Sequence, residues 1–166
     1  MNDTKLKKVE VYKYLGVYIS SDGNDSRDMQ RQICYIYSKG NMLVRKLNKC
    51  SDEVKCQLFK TYCYNMYSAH LWCNYPERKL RRVKVAYNNI FRHLLRIRGP
   101  LNISEQFIKF GIDSFNVLYR ETCSRFYIRS FESSNKLHNI VCTFYFFCFY
   151  SYCQMEKCDL LIFYSI

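Results

Sequence analysis

Three successive apolar stripes at helical spacing do most to limit what this chain can fold into. Met29, Ile33, Ile36, Gly40, Leu43 and Leu47 recur at steps of three and four, so residues 25–48 are expected to form an amphipathic helix. Ser51 is placed to cap a second helix, with Asp52 and Glu53 in the first turn, where the helix dipole favours negative charge. Its apolar stripe is read as Val54, Leu58, Tyr62, Met66, Ala69 and Trp72. Pro76 suits the first turn of a third helix, with the stripe Leu80, Val83, Tyr87, Ile90, Leu94 and Ile97 and a stop at Gly99-Pro100. Ser104 is placed to cap a short helix ending at Gly111, and residues 114–131 form a fifth.

The N-terminal part has a different period. Residues 9–19 are rich in β-branched and aromatic side chains and run into the turn sequence Ser20-Ser21-Asp22-Gly23. They predict a strand bent at Gly16, or a short hairpin. The fold class is therefore mostly α: a helical bundle with a short N-terminal β strand or hairpin. The chain divides into a β element over 1–23, a helical region over 24–140 and an aberrant tail over 141–166.

That tail crowds aromatics and cysteines (Phe144-Tyr145-Phe146-Phe147-Cys148-Phe149-Tyr150) without either period. Its bias towards residues with U-rich codons is what translated noncoding or frame-shifted sequence looks like. The rival is a membrane-interacting tail, but an uncharged run from 140 to 153 is shorter than the ~20 residues that span a bilayer, and no membrane is expected as a partner.

Charge is unevenly spread. Residues 1–100 hold 20 Lys/Arg and 8 Asp/Glu, a net +12, whereas 101–166 hold 6 of each. A basic field confined to one part of a molecule favours a polyanion, most commonly a phosphate backbone. Within the third helix, Arg78, Lys79, Arg81, Arg82, Lys84, Arg92, Arg96 and Arg98 stand against Glu77 alone. At 100° per residue, Arg78, Arg81, Arg82, Arg92 and Arg96 flank the apolar stripe broadly rather than in one line. A solvated basic face is one reading and a phosphate-tracking face the other. Arginine favours the second, because its guanidinium fork matches phosphate oxygens and stacks on bases.

Other chemistry finds little support. Nucleotidyl transfer needs clustered carboxylates to hold two metal ions, and the sequence has no Asp-Asp pair. Asp25 and Asp28 read as helix-start charges, worth a few tenths to about 1 kcal/mol each. His70 with Cys73, and His138 with Cys142, lack the second pair that a zinc site requires, so small core thiols and a half-buried histidine are expected. Five scattered glycines make no phosphate loop, and no nucleophile motif occurs. Residues 1–8 are polar, so no signal peptide is read. An intracellular, reducing compartment is expected, the ten cysteines staying thiols and the Asn2 and Asn102 sequons unused.

Two patches resemble a known family. Tyr12-Lys13-Tyr14-Leu15-Gly16-Val17-Tyr18-Ile19 is similar to the Phe/Tyr-x-Tyr-Leu-Gly motif of jockey-type non-LTR (LINE-like) retrotransposon reverse transcriptases, at their palm-to-thumb junction. The run from Tyr62 through Trp72 to Tyr75, continued by Val85-Ala86-Tyr87-Asn88-Asn89-Ile90-Phe91-Arg92, resembles the region that follows in that family. Phe107-Ile108, Arg120, Phe126-Tyr127-Ile128-Arg129 and Ser134-Asn135 continue in the same order, so the likeness spans roughly residues 8–141.

The resemblance implies that Tyr14, Leu15 and Gly16 lie in the primer-grip neighbourhood and that the helices form a thumb-like region holding an RNA–DNA duplex. In that family the catalytic Tyr/Phe-x-Asp-Asp lies upstream of the position matched by Tyr12. Polymerase activity is therefore not expected of this chain, and Mg belongs to a palm domain. RNA or DNA is the expected partner, with a palm as a further one if the gene is longer; a decayed element without a selected role is the alternative. Separation from a palm would leave an apolar face exposed around Val11, Leu15, Trp72 and Tyr75.

Overall fold

The computed structural model describes residues 8–24, 26–72, 75–99 and 102–132. The expectations for Asn2, Asp25, Cys73, Pro100, Ser134-Asn135, His138 with Cys142, and the tail over 141–166 lie outside these residues.

Of the two β readings, the chain takes the hairpin. β1 (Val11–Tyr14) pairs antiparallel with β2 (Val17–Ser20), with Val11 opposite Ser20 and Tyr14 opposite Val17. Leu15 and Gly16 form the two-residue loop with φ of 45° and 86°, the sign that the right-handed strand twist demands at both central positions. Gly16 takes this conformation without cost. Leu15 is a residue that rarely does, and it stands 73% exposed there. The Tyr67 hydroxyl donates to the Leu15 carbonyl at 3.1 Å and fastens the turn to the helical part.

Five helices follow: α1 (Ser26–Lys46), α2 (Asp52–Cys63), α3 (Glu77–Leu94), α4 (Ile103–Lys109) and α5 (Phe115–Phe131), with a 3₁₀ turn at Ala69–Trp72. Local chemistry sets their starts. The Ser51 Oγ accepts from Val54 N and the Ser114 Oγ from Val117 N, each satisfying an otherwise unpaired donor. Helix α4 is capped by Asn102 rather than Ser104, because the Asn102 side chain accepts from Ser104 N at 3.0 Å.

Helix α3 ends five residues before Gly99. Ile97 N bonds Arg92 O at 2.9 Å and Arg96 N bonds His93 O at 3.2 Å, the paired closure of a left-handed cap. Arg96 occupies its left-handed position with φ of 53°. Helix α4 closes by the same pattern, with Gly111 at the equivalent place.

The second stripe is corrected in its first half, while Met66, Ala69 and Trp72 are buried as expected. α2 buries Cys56, Phe59 and Cys63, whereas Val54 and Tyr62 face solvent, and the helix stops at Cys63 instead of running to Trp72. Apolar residues at 54, 56, 58, 59 and 62–64 spread over more than one face, so periodicity alone did not single out the buried one.

The first and third stripes stand: Met29, Ile36, Gly40 and Leu43 of α1 are buried, as are Leu80, Val83, Tyr87, Ile90 and Leu94 of α3. Phe59, Tyr87, Phe91 and Phe107 form the aromatic centre, with ring centroids 4.8–5.8 Å apart. Burial pushes the Tyr64 hydroxyl up to about 12, and this hydroxyl accepts from Asp113 N at 2.6 Å, which anchors the link between α4 and α5.

α1 and α3 make the most extensive helix contact. Arg82 bonds Gln30 near their starts, and Gly40 meets Ile90 about two to three turns on, so the two helices run side by side in the same direction. Trp72 is fully buried, contrary to the expected exposed face, because its 3₁₀ turn packs against α5. Of that face, Leu15 is exposed while Val11 and Tyr75 are half-buried.

Candidate nucleic-acid interface

The parallel pairing of α1 and α3 leaves an open groove of about 380 Å³ near the starts of both helices. Helix spacing explains its lining. Positions 78, 81, 82, 85 and 86 share one face of α3, and positions 30, 33 and 37 share one face of α1. Arg78, Arg81 and Arg82 form the rim, while Ile33, Tyr37, Val85 and Ala86 supply apolar walls. Gln30 steadies one side, its Oε1 accepting from Arg82 Nη2 at 3.0 Å.

These arginines have no acidic partner among the described residues. The ion pairs there are Arg31–Asp28, Lys55–Asp52 and Arg125–Glu121. Lys79, on the same helix, places its Nζ 4.2 Å from the Tyr75 ring centroid. Uncompensated positive charge along a concave wall is a field that attracts anions.

The eight residues named from the sequence separate into three places. Arg78, Arg81 and Arg82 meet in the groove. Arg92 and Arg96 do not join them: Arg92 is half-buried and donates to Gly99 O at 3.4 Å, and Arg96 forms the left-handed cap at the far end of α3. Tyr14, Leu15 and Gly16 sit at the hairpin turn, with Tyr14 exposed and Leu15 bound to Tyr67. Gln30, Ile33 and Tyr37 were missed. Their spacing placed them on one helical face, but nothing in the sequence showed that this face lies beside the arginines.

Asp28 stands in the first turn of α1, as its reading as a helix-start charge has it, and it is also fully buried. Its Oδ1 takes Arg31 Nε at 2.8 Å, its Oδ2 accepts from the Ser68 hydroxyl, and Arg31 Nη2 donates to the same Ser68 oxygen at 2.9 Å. The adjacent Gln32, also buried, donates to Asn65 O at 2.6 Å. Two polar residues on the inner side of α1 thus hold the irregular segment between α2 and the 3₁₀ turn.

His70 stacks on Phe126 with centroids 4.1 Å apart. Burial, opposed by Asp28, holds its pKa below the ordinary 6.5. The unfolded chain then binds more protons than the folded one, so stability falls as pH drops through about 6.5 towards the lower folded value. His70→Phe keeps the stack and should flatten the dependence of the melting temperature between pH 7 and 5. An unchanged slope would show that other groups carry it.

Among the described residues no group of three His, Cys, Asp or Glu side chains is placed to hold a metal ion, and no helix is long and apolar enough to cross a membrane. Cys34, Cys50, Cys56 and Cys63 are free thiols, and burial pushes Cys63 up to about 12.

Comparison with family models, with curated proteins and with solved structures gives no match. Function therefore rests on the residues and their geometry.

Proposed function

We propose that this chain is a helical module that holds RNA or DNA through its phosphates, of the kind that follows the palm in jockey-type retrotransposon reverse transcriptases. One observation carries the proposal: three arginines without acidic partners among the described residues, gathered on one face of α3 above a groove. The net charge of +12 adds long-range attraction. The likeness of the hairpin and of residues 62–92 to that family supports the same role. An RNA–DNA duplex is the substrate it suggests. Contacts of this type carry no base information, so binding is sequence-independent. The activity proposed is holding a strand, since the sequence has no Asp-Asp pair for joining nucleotides.

Salt dependence tests the proposal. Each neutralised phosphate contributes about 0.7–0.9 to the slope of log affinity against log salt. Replacing Arg78, Arg81 and Arg82 together by Ser should weaken binding to every mixed-sequence probe alike and flatten that slope by about 2–3. Equal binding by the triple variant would leave the groove a solvated basic face.

A second reading, a transposon-derived chain with no selected biochemical role, is favoured by the hairpin. Tyr12, Tyr14, Leu15 and Ile19 leave apolar surface uncovered there. Binding of a dye specific for exposed apolar surface, with a broad non-cooperative melt, supports that reading; a sharp cooperative melt without dye binding counts against it.

A further inference from the structure

We propose that the groove between α1 and α3 seats an unpaired nucleotide, so that the module prefers single-stranded nucleic acid to a duplex. This inference rests on the phosphate-binding reading above and, on the groove's shape, puts a single strand in place of the duplex that the family likeness suggests.

The shape and chemistry of the groove lead there. Its volume, about 380 Å³, lies in the range of small-ligand sites, and it is open along one side, as a continuous strand requires. The walls are not those of a plain phosphate track. Ile33, Tyr37 and Ala86 belong to or pack against the core, which makes an apolar floor on fixed helices. Val85, 45% exposed, extends that floor outwards. Above it stand three guanidinium groups, of which Arg82 is held by Gln30.

A duplex turns its phosphates and sugars outwards and keeps its base faces stacked inside, so it offers nothing to an apolar recess between two helices. A single strand can turn a base inwards while its flanking phosphates stay at the rim. Every base has a flat apolar face, and stacking it on such a floor needs no particular sequence. Arginine serves both parts, bonding phosphate by its edge and lying flat on a base by its face. An acidic peptide would satisfy the rim and leave the floor unused.

The test is an anisotropy titration of the full chain at low salt with three labelled probes of one mixed sequence. These are a single strand, its duplex, and the same single strand with abasic sites in its interior. The single strand should bind roughly tenfold more tightly than either of the others, the scale of one stacked base. Val85→Glu, at an exposed position that leaves the core untouched, should erase the preference. Val85→Trp should give fluorescence that the ordinary strand quenches and the abasic strand does not.

Equal affinity for all three probes, with the arginine triple variant still weakened, would overturn the nucleotide seat while the phosphate-binding reading stands. Polyglutamate that displaces the strand as well as unlabelled strand does would also overturn it, assigning the groove to acidic protein. No binding of any probe at low salt would sink both readings.

Discussion

Replacing Arg31 with alanine should destabilise the fold by about 3–5 kcal/mol, the usual result of leaving a buried charge without its partner. Asp28 is fully buried, and Arg31 is the cation that meets it. The Arg31 side chain keeps 24% of its surface exposed, so removing the carboxylate instead leaves a cation that can still turn to water. Arg31→Ala should therefore cost more than Asp28→Asn. The double variant should cost less than the two single costs added, because the charges it removes answer each other. Urea denaturation measures all three. Since domains of this size have about 5–15 kcal/mol in total, the single arginine variant should lie close to unfolding at room temperature. A loss below about 1 kcal/mol would mean that the pair behaves like an exposed surface bridge.

The second large effect is expected at Gly40, from a single added methyl group. A Cβ there would lie 2.1 Å from Ile90 Cγ2 and 2.9 Å from Ile90 Cγ1, far inside the ~3.5–4.0 Å at which carbon atoms rest. Both atoms sit next to the Ile90 branch point, so no swing of a flexible chain end relieves the clash, and α1 and α3 must separate. Gly40→Ala should cost about 3 kcal/mol, at the upper end for overpacking, despite alanine's better helix propensity. Ile90→Ala alone opens a cavity and costs about 2–5 kcal/mol. Combined with Gly40→Ala it should recover part of the loss, since each change makes room for or fills the other. A neutral Gly40→Ala in thermal melts would disprove the close approach. Because this approach helps set how α1 and α3 lie together, a stable Gly40 variant should also alter binding in the groove beyond it.

How much was legible in the sequence varied with the kind of signal. Helices α1 and α3 could be read almost whole, because six apolar residues at steps of three and four leave one face to bury. The hairpin could be read only as one of two possibilities, and Leu15 shows why: a leucine at positive φ runs against local preference. α2 was misread by one face, since its apolar residues surround it. The end of α3 was placed too late, because an arginine took the left-handed position that glycine usually marks. At the candidate site, the arginines could be named but not grouped, and the opposite wall was invisible.

The sequence by itself determined the helical class, the number and approximate limits of the helices, and a basic first hundred residues. These follow from short-range periodicity and composition, which each segment carries alone. Only the tertiary structure decided which arginines border the groove, that Asp28 at the start of α1 is also a buried ion-pair partner, and that Gly40 has no room for a side chain. Arg31 lies only three residues from Asp28, but the Ser68 that meets both, the Ile90 that crowds Gly40 and the α1 wall opposite the arginines all come from segments tens of residues away. Whether a charge is solvated, or a glycine crowded, is a property of the pair.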